Sequence, residues 1–246
     1  MWRGVVDPKR ILVVDSDPES LRRSAESLGQ RVACTGVTTA QEALRALPAG
    51  RFDLVLLELS LRDLTGLGLL RLIRENPETS RTPVIVVSAQ ASEIDRVLAF
   101  EAGADDFLAK PYYAPELAVR VRTLLRAFDA AAAARGGDAV RSRGVVIDAR
   151  SGRVELQGRT LPLTPTEFQV LAALAAERGR VVRRRDLIER LRGPGAGPSE
   201  RAVDAHVKSI RRKLGAARAI LETVRGVGYR LSEPGADPCE PVEPAA

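Results

Sequence analysis

The sequence predicts an α/β protein in which a five-stranded, doubly wound parallel sheet is followed by a smaller α+β domain. The parallel sheet is predicted because, in the first half of the chain, short apolar runs alternate five times with helical patterns. The smaller domain is predicted because short apolar runs broken by glycine are followed by three helical patterns and a closing hairpin. A chain of 246 residues, 45% of them hydrophobic, is long enough for about two globular cores.

Each unit of the first half is a strand, a loop and a helix. Pro18 opens the first helical pattern, as proline often does in a first helical turn. The aliphatic run Leu54–Leu57 is typical of a strand covered on both faces. Strands are expected at residues 10–14, 32–34, 52–60, 84–87 and 106–109, and helices at 18–28, 40–47, 66–75, 92–102 and 115–128.

Polar side chains stand where several of these strands end. Asp15–Asp17 follows the first strand, Glu58 the third, Ser88 the fourth and Lys110 the fifth. Ligands bind such sheets beyond the carboxyl ends of the strands, so these groups are expected at a common rim. Acid, hydroxyl and ammonium groups together suggest phosphate or metal-phosphate chemistry. Taken singly, Asp17 and Ser88 equally suit helix caps, and Lys110 suits an ordinary ion pair.

The chain resembles bacterial two-component response regulators of the OmpR/PhoB family, which join a receiver domain to a winged-helix DNA-binding domain. The resemblance extends from about Lys9 to Leu231. The matching receiver motifs are Ser88-Ala89, Lys110-Pro111, Asp63, Gly66 and Gly103–Asp106. In the second half, Glu222–Leu231 is similar to the family's wing and, with Val203–Val207, is the most specific match.

Two residues depart from the family's receiver pattern. The resemblance implies an aspartate phosphoacceptor after the third strand, where this chain has Glu58, and a second acid where it has Ser16. Glutamate is one methylene longer, so its carboxylate reaches into the space of an aspartyl phosphoryl group. The hydroxyl of Ser16 removes an anionic ligand, leaving Asp15 from the pair and Asp17 one residue further on. Magnesium binding is therefore expected to be weak or absent.

These departures favour a receiver that does not accept phosphate. Glu58 is expected to pair with Lys110 and hydrogen-bond Ser88, imitating the phosphorylated state. Phe107 falls where the family keeps its aromatic switch, and an inward position would support the mimic. On this interpretation a histidine kinase partner is doubtful. Two alternatives stay open: a decayed pocket in a regulator controlled by its amount or by another ligand, and a conventional phosphorylation-switched regulator with a non-standard pocket.

A rival interpretation is an enzyme. Asp15 and Asp17 form an Asp-x-Asp sequence that resembles the start of haloacid-dehalogenase-like phosphatases, which would make the first a nucleophile and the second an acid/base. Those enzymes usually continue with Gly-Thr, whereas this chain has Pro18-Glu19. Their further acidic pair follows the lysine, but Asp105-Asp106 precedes Lys110. The sequence therefore predicts a protein that is not an enzyme.

The resemblance also implies a homodimer. In this family the last receiver elements form a symmetric interface, and we expect Arg96 to pair with Glu116 and Asp106 with Arg120 across the two-fold axis. Such pairing is self-complementary, as a two-fold interface requires. The same mixture of charges equally suits solvated helix faces.

Composition divides the chain into four segments. Residues 1–128 are assigned to the receiver, 129–143 to a flexible linker, 144–231 to the winged-helix domain and 232–246 to a disordered tail. Residues 1–128 have 17 basic and 17 acidic side chains, whereas residues 129–231 have 21 and 11. The basic excess therefore belongs to the second domain, which suits binding to nucleic acid.

A helix at Glu200–Leu214 is the expected DNA reader. Its apolar residues recur every three or four positions and leave a basic face, so it could enter the major groove; the alternative is an ordinary amphipathic surface helix. The resemblance places the wing in the neighbouring minor groove. The expected DNA contacts are Arg201, Lys208, Ser209, Arg211, Arg212 and Arg225. A dimer of this kind implies a double-stranded promoter element with a direct repeat or two half-sites.

Other features limit the remaining partners. The resemblance implies that the loop Gly193–Pro198 can contact RNA polymerase, although its sequence is unusually flexible. The loop follows Arg192, where many members of the family have tryptophan. A contact with RNA polymerase is therefore possible, but its mode stays open. His206, the only histidine, is expected to pack or hydrogen-bond rather than bind metal. Cys34 and Cys239 have no metal spacing. No apolar run is long enough for a membrane span or a secretory signal, so a cytoplasmic location is expected.

Overall fold

The computed structural model describes residues 8–29, 32–133, 140–142, 144–148, 153–192 and 200–232. The first domain has the predicted alternation of five strands and five helices. Its elements are β1 (Lys9–Val14), α1 (Pro18–Leu28), β2 (Val32–Val37), α2 (Ala40–Gly50), β3 (Leu54–Leu57), α3 (Gly66–Glu75), β4 (Val84–Ser88), α4 (Glu93–Ala102), β5 (Asp106–Ala109) and α5 (Ala114–Ala133).

The five strands form one parallel sheet in the order β2-β1-β3-β4-β5. Side chains alternate between its two faces, as the two-residue period of a strand requires. Leu12 and Val14 pack with residues of α2, α3 and α4, whereas Ile11 and Val13 pack with residues of α1 and α5. Helices thus cover both faces, and the predicted doubly wound fold is confirmed.

Local sequence fixes the loops at the carboxyl edge of this sheet. Asp17 caps α1 by accepting from the backbone N–H groups of Glu19 and Ser20, and Pro18 occupies the first helical turn. Gly66, the first residue of α3, lies where an added Cβ would be 2.4 Å from the carbonyl oxygen of Glu58. Only glycine permits this approach, which holds the start of α3 against the loop after β3.

The second domain consists of short antiparallel strands around three helices. Thr164 and Glu167 form a capping box at the start of the first of these helices. A single apolar core joins the helices to the strands. The elements are β6 (Val140–Ser142), β7 (Val145–Asp148), β8 (Arg153–Leu156), β9 (Arg159–Thr160), α6 (Pro165–Ala176), β10 (Val182–Arg183), α7 (Arg184–Arg192), α8 (Glu200–Leu214), a 3₁₀ helix (Gly215–Ile220), β11 (Leu221–Val224) and β12 (Gly228–Leu231).

The chain between the domains begins as helix. The expected receiver boundary at residue 128 falls inside α5, which continues to Ala133. Val140–Ser142, within the expected linker, pairs with β7. The rest of the linker at 134–139 and 143, the loop 193–199 and the tail 233–246 lie outside the described residues.

The two domains pack against each other. Helix α4 of the first domain lies on α8 of the second, and α5 lies on α6 and α7. Ala202 and Ala205 of α8 are buried in the apolar cluster that contains Ala99 and Phe100 of α4. The helix expected to read DNA is therefore also an element of the domain interface.

Candidate functional site

Glu58 lies just beyond β3, at the carboxyl edge of the sheet, and its side chain is only 7% exposed. Its Oε1 atom accepts from the backbone nitrogens of Leu59 at 2.7 Å and Ser60 at 3.2 Å, and from the hydroxyl of Ser88. Its Oε2 atom accepts from Lys110 Nζ at 2.8 Å. The carboxylate thus occupies an anion site formed by two amides, a hydroxyl and an ammonium group.

Lys110 connects this site to the first strand. Its Nζ atom donates to Asp15 Oδ2 at 2.5 Å as well as to Glu58. Burial alone lowers the pKa of Lys110, but the hydrogen bonds and charges of Asp15 and Glu58 outweigh it and raise that pKa above its ordinary value. Lys110 is therefore a permanent cation at neutral pH, held between two carboxylates.

The two residues after Asp15 in the acidic loop turn away from this centre. Asp15 accepts from Ser20 Oγ at 2.6 Å and from the backbone nitrogen of Asp17 at 3.0 Å. Ser16 Oγ donates to the carbonyl oxygen of Thr38 at 3.4 Å, and Asp17 is the cap of α1. The rim residues predicted from sequence converge in Asp15, Glu58, Ser88 and Lys110, but Ser16 and Asp17 do not join them.

This donor set does not suit magnesium. The ion prefers octahedral oxygen ligands, of which carboxylates supply only one or two. Asp15 and Glu58 share Lys110, while Asp17 is committed to the helix cap. Within the described residues, no three His, Cys, Asp or Glu side chains are arranged to hold a metal ion. The pocket is instead neutralised internally by an ammonium group.

Phe107 on β5 points into the protein and is 7% exposed, with the Arg96 guanidinium 5.5 Å from its ring centre. Beside it, Arg120 donates to Asp106 at 2.8 Å and to Glu116 at 2.8 Å within the same chain. The residues expected at the dimer interface thus lie together on the α4, β5 and α5 face. Arg96 stacks on Phe107 in this chain, and Asp106 is paired with Arg120 internally.

Helix α8 holds most of the residues expected to contact DNA. Lys208 forms an ion pair with Glu101 of α4, and Arg212 donates to the carbonyl oxygen of Glu101 and to Ser209 Oγ, both at 3.3 Å. Ser209 is only 3% exposed. The backbone of Arg201 lies in the first turn of α8, but its side chain is outside the described part. In this conformation α8 faces the first domain.

The wing is braced against α8 rather than free of it. Arg211 donates to the carbonyl oxygen of Leu221 at 2.6 Å and to Thr223 Oγ1 at 2.7 Å, so this cation is committed to β11. Tyr229 on β12 donates to Asp204 of α8, and burial together with that carboxylate raises the pKa of Tyr229 to about 12. Arg225 is exposed in the turn between β11 and β12, where a minor-groove contact would need it.

Comparison with known families agrees with this architecture. Residues 11–122 match the response regulator receiver domain, and residues 158–231 match the C-terminal domain of transcriptional regulatory proteins. The transcriptional regulatory protein CseB of Streptomyces coelicolor is 36% identical over 238 residues, covering 92% of this chain and 99% of that protein. The chain is a response regulator of the OmpR/PhoB family. As such it is a DNA-binding transcriptional regulator.

Other relatives match this chain over a similar share of its length. BaeR of Escherichia coli is 36% identical over 236 residues, covering 94% of each chain. The phosphate regulon regulator PhoB of Rhizobium meliloti is 34% identical over 228 residues, covering 91% of this chain and 98% of that protein. A RitR mutant, 23% identical, has the same fold with a TM-score of 0.76 over 92% of this chain and 99% of its own. CseB, BaeR and PhoB are transcriptional regulators, so the phosphatase interpretation is set aside.

The sequence did not predict that two acidic residues of the first domain, Glu101 and Asp105, contact the second domain. Both contact the second domain: Glu101 through Lys208, and Asp105 Oδ1 by accepting from the backbone nitrogen of Thr166 at 3.1 Å. No local pattern predicts these two contacts, because the partners lie 107 and 61 residues away in the chain. Across the described part of the chain, no helix is both long and apolar enough to cross a membrane.

Proposed function

We propose that this regulator controls transcription without phosphorylation, because the Glu58 carboxylate permanently occupies the receiver's anion site. The observation that supports this most directly is the set of donors on the Glu58 carboxylate: two backbone amides, Ser88 and Lys110. Hydrogen bonds to a charged group each contribute about 1.5–3 kcal/mol. An incoming phosphoryl group would have to displace the carboxylate from all of them.

Glu58 is also a poor nucleophile in this position. Both of its oxygens are committed as hydrogen-bond acceptors, and Lys110 withdraws charge from the one that does not face Ser88. The donor set described above offers magnesium no vacant carboxylate. A histidine kinase would thus find neither an acceptor nor the metal that phosphoryl transfer requires.

The second domain supports a more specific proposal, which names the residues that contact DNA. The proposed contacts are the basic side chains of α8 and the exposed Arg225 of the wing, within a segment of 21 basic and 11 acidic residues. Ser209 and Arg211 contribute as structural supports, since one is buried and the other is tied to β11.

The proposed assembly is a cytoplasmic homodimer on a direct-repeat or two-half-site promoter element. Its receiver face would be α4, β5 and α5, where Arg96, Asp106, Glu116 and Arg120 cluster. On separation from the second domain, Arg120 could exchange its internal partners for those of a second chain. RNA polymerase contact through residues 193–198 belongs to the same proposal.

A covalent labelling experiment tests the receiver. We expect acetyl phosphate with magnesium to leave the intact mass of the wild-type chain unchanged. The double variant Ser16→Asp, Glu58→Asp restores the family's acidic set, and it should gain one phosphoryl group under the same conditions. Labelling of the wild type to a similar extent would establish the conventional, phosphorylation-switched alternative instead.

A further inference from the structure

A cleft of about 280 Å³ lies where the first and second domains meet. One wall is formed by α3, the loop after it and α4 of the receiver, and the other by Pro162 and the last turn of α8. Among the described residues, the lining of this cleft has none in common with the group of Asp15, Glu58, Ser88 and Lys110. The cleft is therefore separate from the receiver's anion site and has its own chemistry.

Basic side chains predominate in the cleft. Among the described residues, four cations line it, two on each domain, against two acids. The cations are Arg71 and Arg74 of α3 and Arg212 and Lys213 of α8, and the acids are Glu75 and Glu101. A cleft lined mainly by one sign of charge concentrates ions of the opposite sign. The charges therefore favour an anionic ligand.

Two of these cations are already neutralised and give the cleft fixed walls. Arg74 donates to Asp105 at 2.8 Å and to the carbonyl oxygen of Gly103 at 2.8 Å. Lys213 donates to Glu167 at 2.6 Å, and the Glu167 side chain is 1% exposed. Breaking a buried ion pair leaves an uncompensated charge. Arg74 and Lys213 therefore stay with their own carboxylates and shape the cleft without binding its ligand directly.

The other two cations are available to a ligand. Arg71 is exposed and forms no ion pair within the described part of the chain. Arg212 is also exposed, and its hydrogen bonds to the Glu101 carbonyl oxygen and to Ser209 Oγ are both 3.3 Å long, beyond the usual range of about 2.7–3.2 Å. The cleft is thus lined by one weakly engaged guanidinium group from each domain. Guanidinium groups bind phosphate through two parallel hydrogen bonds.

The remaining polar groups of the cleft suit the hydroxyl groups of a ligand. Glu75 is exposed, and no described residue pairs with it. Ser80 Oγ has a long hydrogen bond of 3.3 Å to the carbonyl oxygen of Pro77. A carboxylate accepts hydrogen bonds from hydroxyl groups, and a serine hydroxyl both donates and accepts them. Leu98 and Pro162 add apolar surface to the walls, which suits a short carbon skeleton.

Charge and volume narrow the class of ligand. A phosphate monoester has a charge of about −1.5 to −2 at neutral pH, which matches two guanidinium groups, whereas a carboxylate matches one. Ordinary ligand pockets enclose about 300–1,000 Å³, so a cleft of about 280 Å³ suits a compact molecule. We propose that the cleft binds a small phosphate monoester that bears hydroxyl groups, such as a sugar phosphate. Its phosphate lies between Arg71 and Arg212, and its hydroxyl groups face Glu75.

The proposed ligand shares one residue with DNA. Arg212 is a proposed contact to DNA phosphates, so the ligand and DNA compete for one guanidinium group. By linkage, each then lowers the affinity of the other. This competition rests on the proposed function. The binding site itself does not, because Arg71 and Glu75 are independent of whether Glu58 accepts phosphate.

Isothermal titration calorimetry on the full-length chain, without DNA, tests the site. The probes are ribose 5-phosphate, glycerol 3-phosphate, inorganic phosphate and ribose. We expect at least one of the two esters to bind about tenfold more tightly than inorganic phosphate, since its hydroxyl groups add hydrogen bonds to a charged acceptor. Ribose, which lacks phosphate, should give no measurable binding. Absence of binding by both esters would overturn the proposal.

Three variants with the same loss of charge locate the bound ester. Arg71→Gln removes one of the two guanidinium groups and should weaken the better ester by about tenfold or more. Arg45→Gln on the exposed surface of α2 is the matched control, and Arg225→Gln removes a proposed DNA contact on the wing. Both should change the affinity by about twofold or less, because distant exposed charges are screened. A loss in either of them equal to that of Arg71→Gln would place the ester on the basic surface in general and overturn the site.

Glu75→Ala tests the contact to the hydroxyl groups. Removal of this carboxylate should weaken binding of the ester, whereas inorganic phosphate should bind equally or more tightly because a like charge is removed. The preference for the ester over inorganic phosphate should fall to about twofold or less. An unchanged preference would show that Glu75 does not face the hydroxyl groups and would contradict the proposed placement.

Binding to a duplex selected from random DNA by the wild-type chain separates this proposal from the proposed function. Without ester, Arg71→Gln should bind the duplex within about twofold of wild type, because Arg71 is not a proposed DNA contact. The ester should weaken DNA binding by wild type but not by Arg71→Gln. If wild type binds the duplex but neither ester, the ligand site is overturned and the proposed function stands. If an ester binds but no duplex is selected, the proposed DNA contacts are overturned and the ligand site stands.

Discussion

Two carboxylate–lysine pairs of this regulator have the same chemistry and different surroundings. Glu58 and Lys110 are 7% and 19% exposed and share their pocket with Asp15, whereas Glu101 and Lys208 are 29% and 73% exposed. Burial strengthens an ion pair and makes its rupture costly, while exposure leaves a pair weak and sensitive to salt. The first pair is therefore suited to a fixed setting and the second to a contact that opens.

If Glu58 replaces phosphorylation as proposed, the same comparison separates a fixed part of the regulator from a variable one. At the carboxyl edge of the sheet, Glu58 is held by Lys110 and Phe107 is buried. The variable element is then what covers the α4, β5 and α5 face: the chain's own DNA-binding domain or a second receiver. On the proposed function, control would depend on which of these surfaces covers the face and not on a covalent phosphoryl bond.

The largest expected effect is on the free energy of unfolding, when Lys110→Ala is compared with Lys208→Ala. Lys110→Ala leaves Asp15 and Glu58 as buried carboxylates without their shared cation, so the free energy of unfolding should fall by about 3–5 kcal/mol. Lys208→Ala should cost about 1 kcal/mol or less. Urea denaturation of both variants measures the difference. Equal losses would mean that burial does not distinguish the two pairs.

A smaller effect is expected from alkaline pH. The pKa of Lys110 is raised in the folded state, so its contribution to stability is complete below its unfolded pKa and is lost as the pH rises through the folded value. Stability from this source should be constant near neutral pH and decline above about pH 10.5. Urea midpoints of wild type and Lys110→Ala should converge there. Convergence already at neutral pH would contradict the assignment.

The sequence predicted the sheet edge well because parallel strands must end together. Asp15, Glu58, Ser88 and Lys110 each follow an apolar run, and topology alone brings them to one rim. It left open whether Asp17 would join this rim or cap the first helix, and Asp17 is the cap of α1. The choice depends on the backbone after β1, where the nitrogen of Asp17 donates to Asp15 Oδ1 at 3.0 Å.

Helix α8, which is proposed to read DNA, shows a different limit of prediction from sequence. Its bounds at Glu200–Leu214 agree with the apolar period, but the period does not say what covers the basic face. Ser209 is buried and Arg211 is tied to the wing, although both stand off the apolar stripe in sequence. Domain packing depends on a few contacts between residues far apart in the chain, and local patterns do not encode these.

The most direct test of the central claim is the affinity of the full-length chain for its selected DNA, measured with and without acetyl phosphate and magnesium. We expect no change for wild type, because the anion site is already filled. Glu58→Gln removes the negative charge from the anion site while keeping the size of the side chain. This variant should bind the selected DNA at least about fivefold more weakly than wild type. Equal affinity of this variant and wild type would point to a decayed pocket. Tighter binding of wild type after phosphodonor treatment would contradict the account.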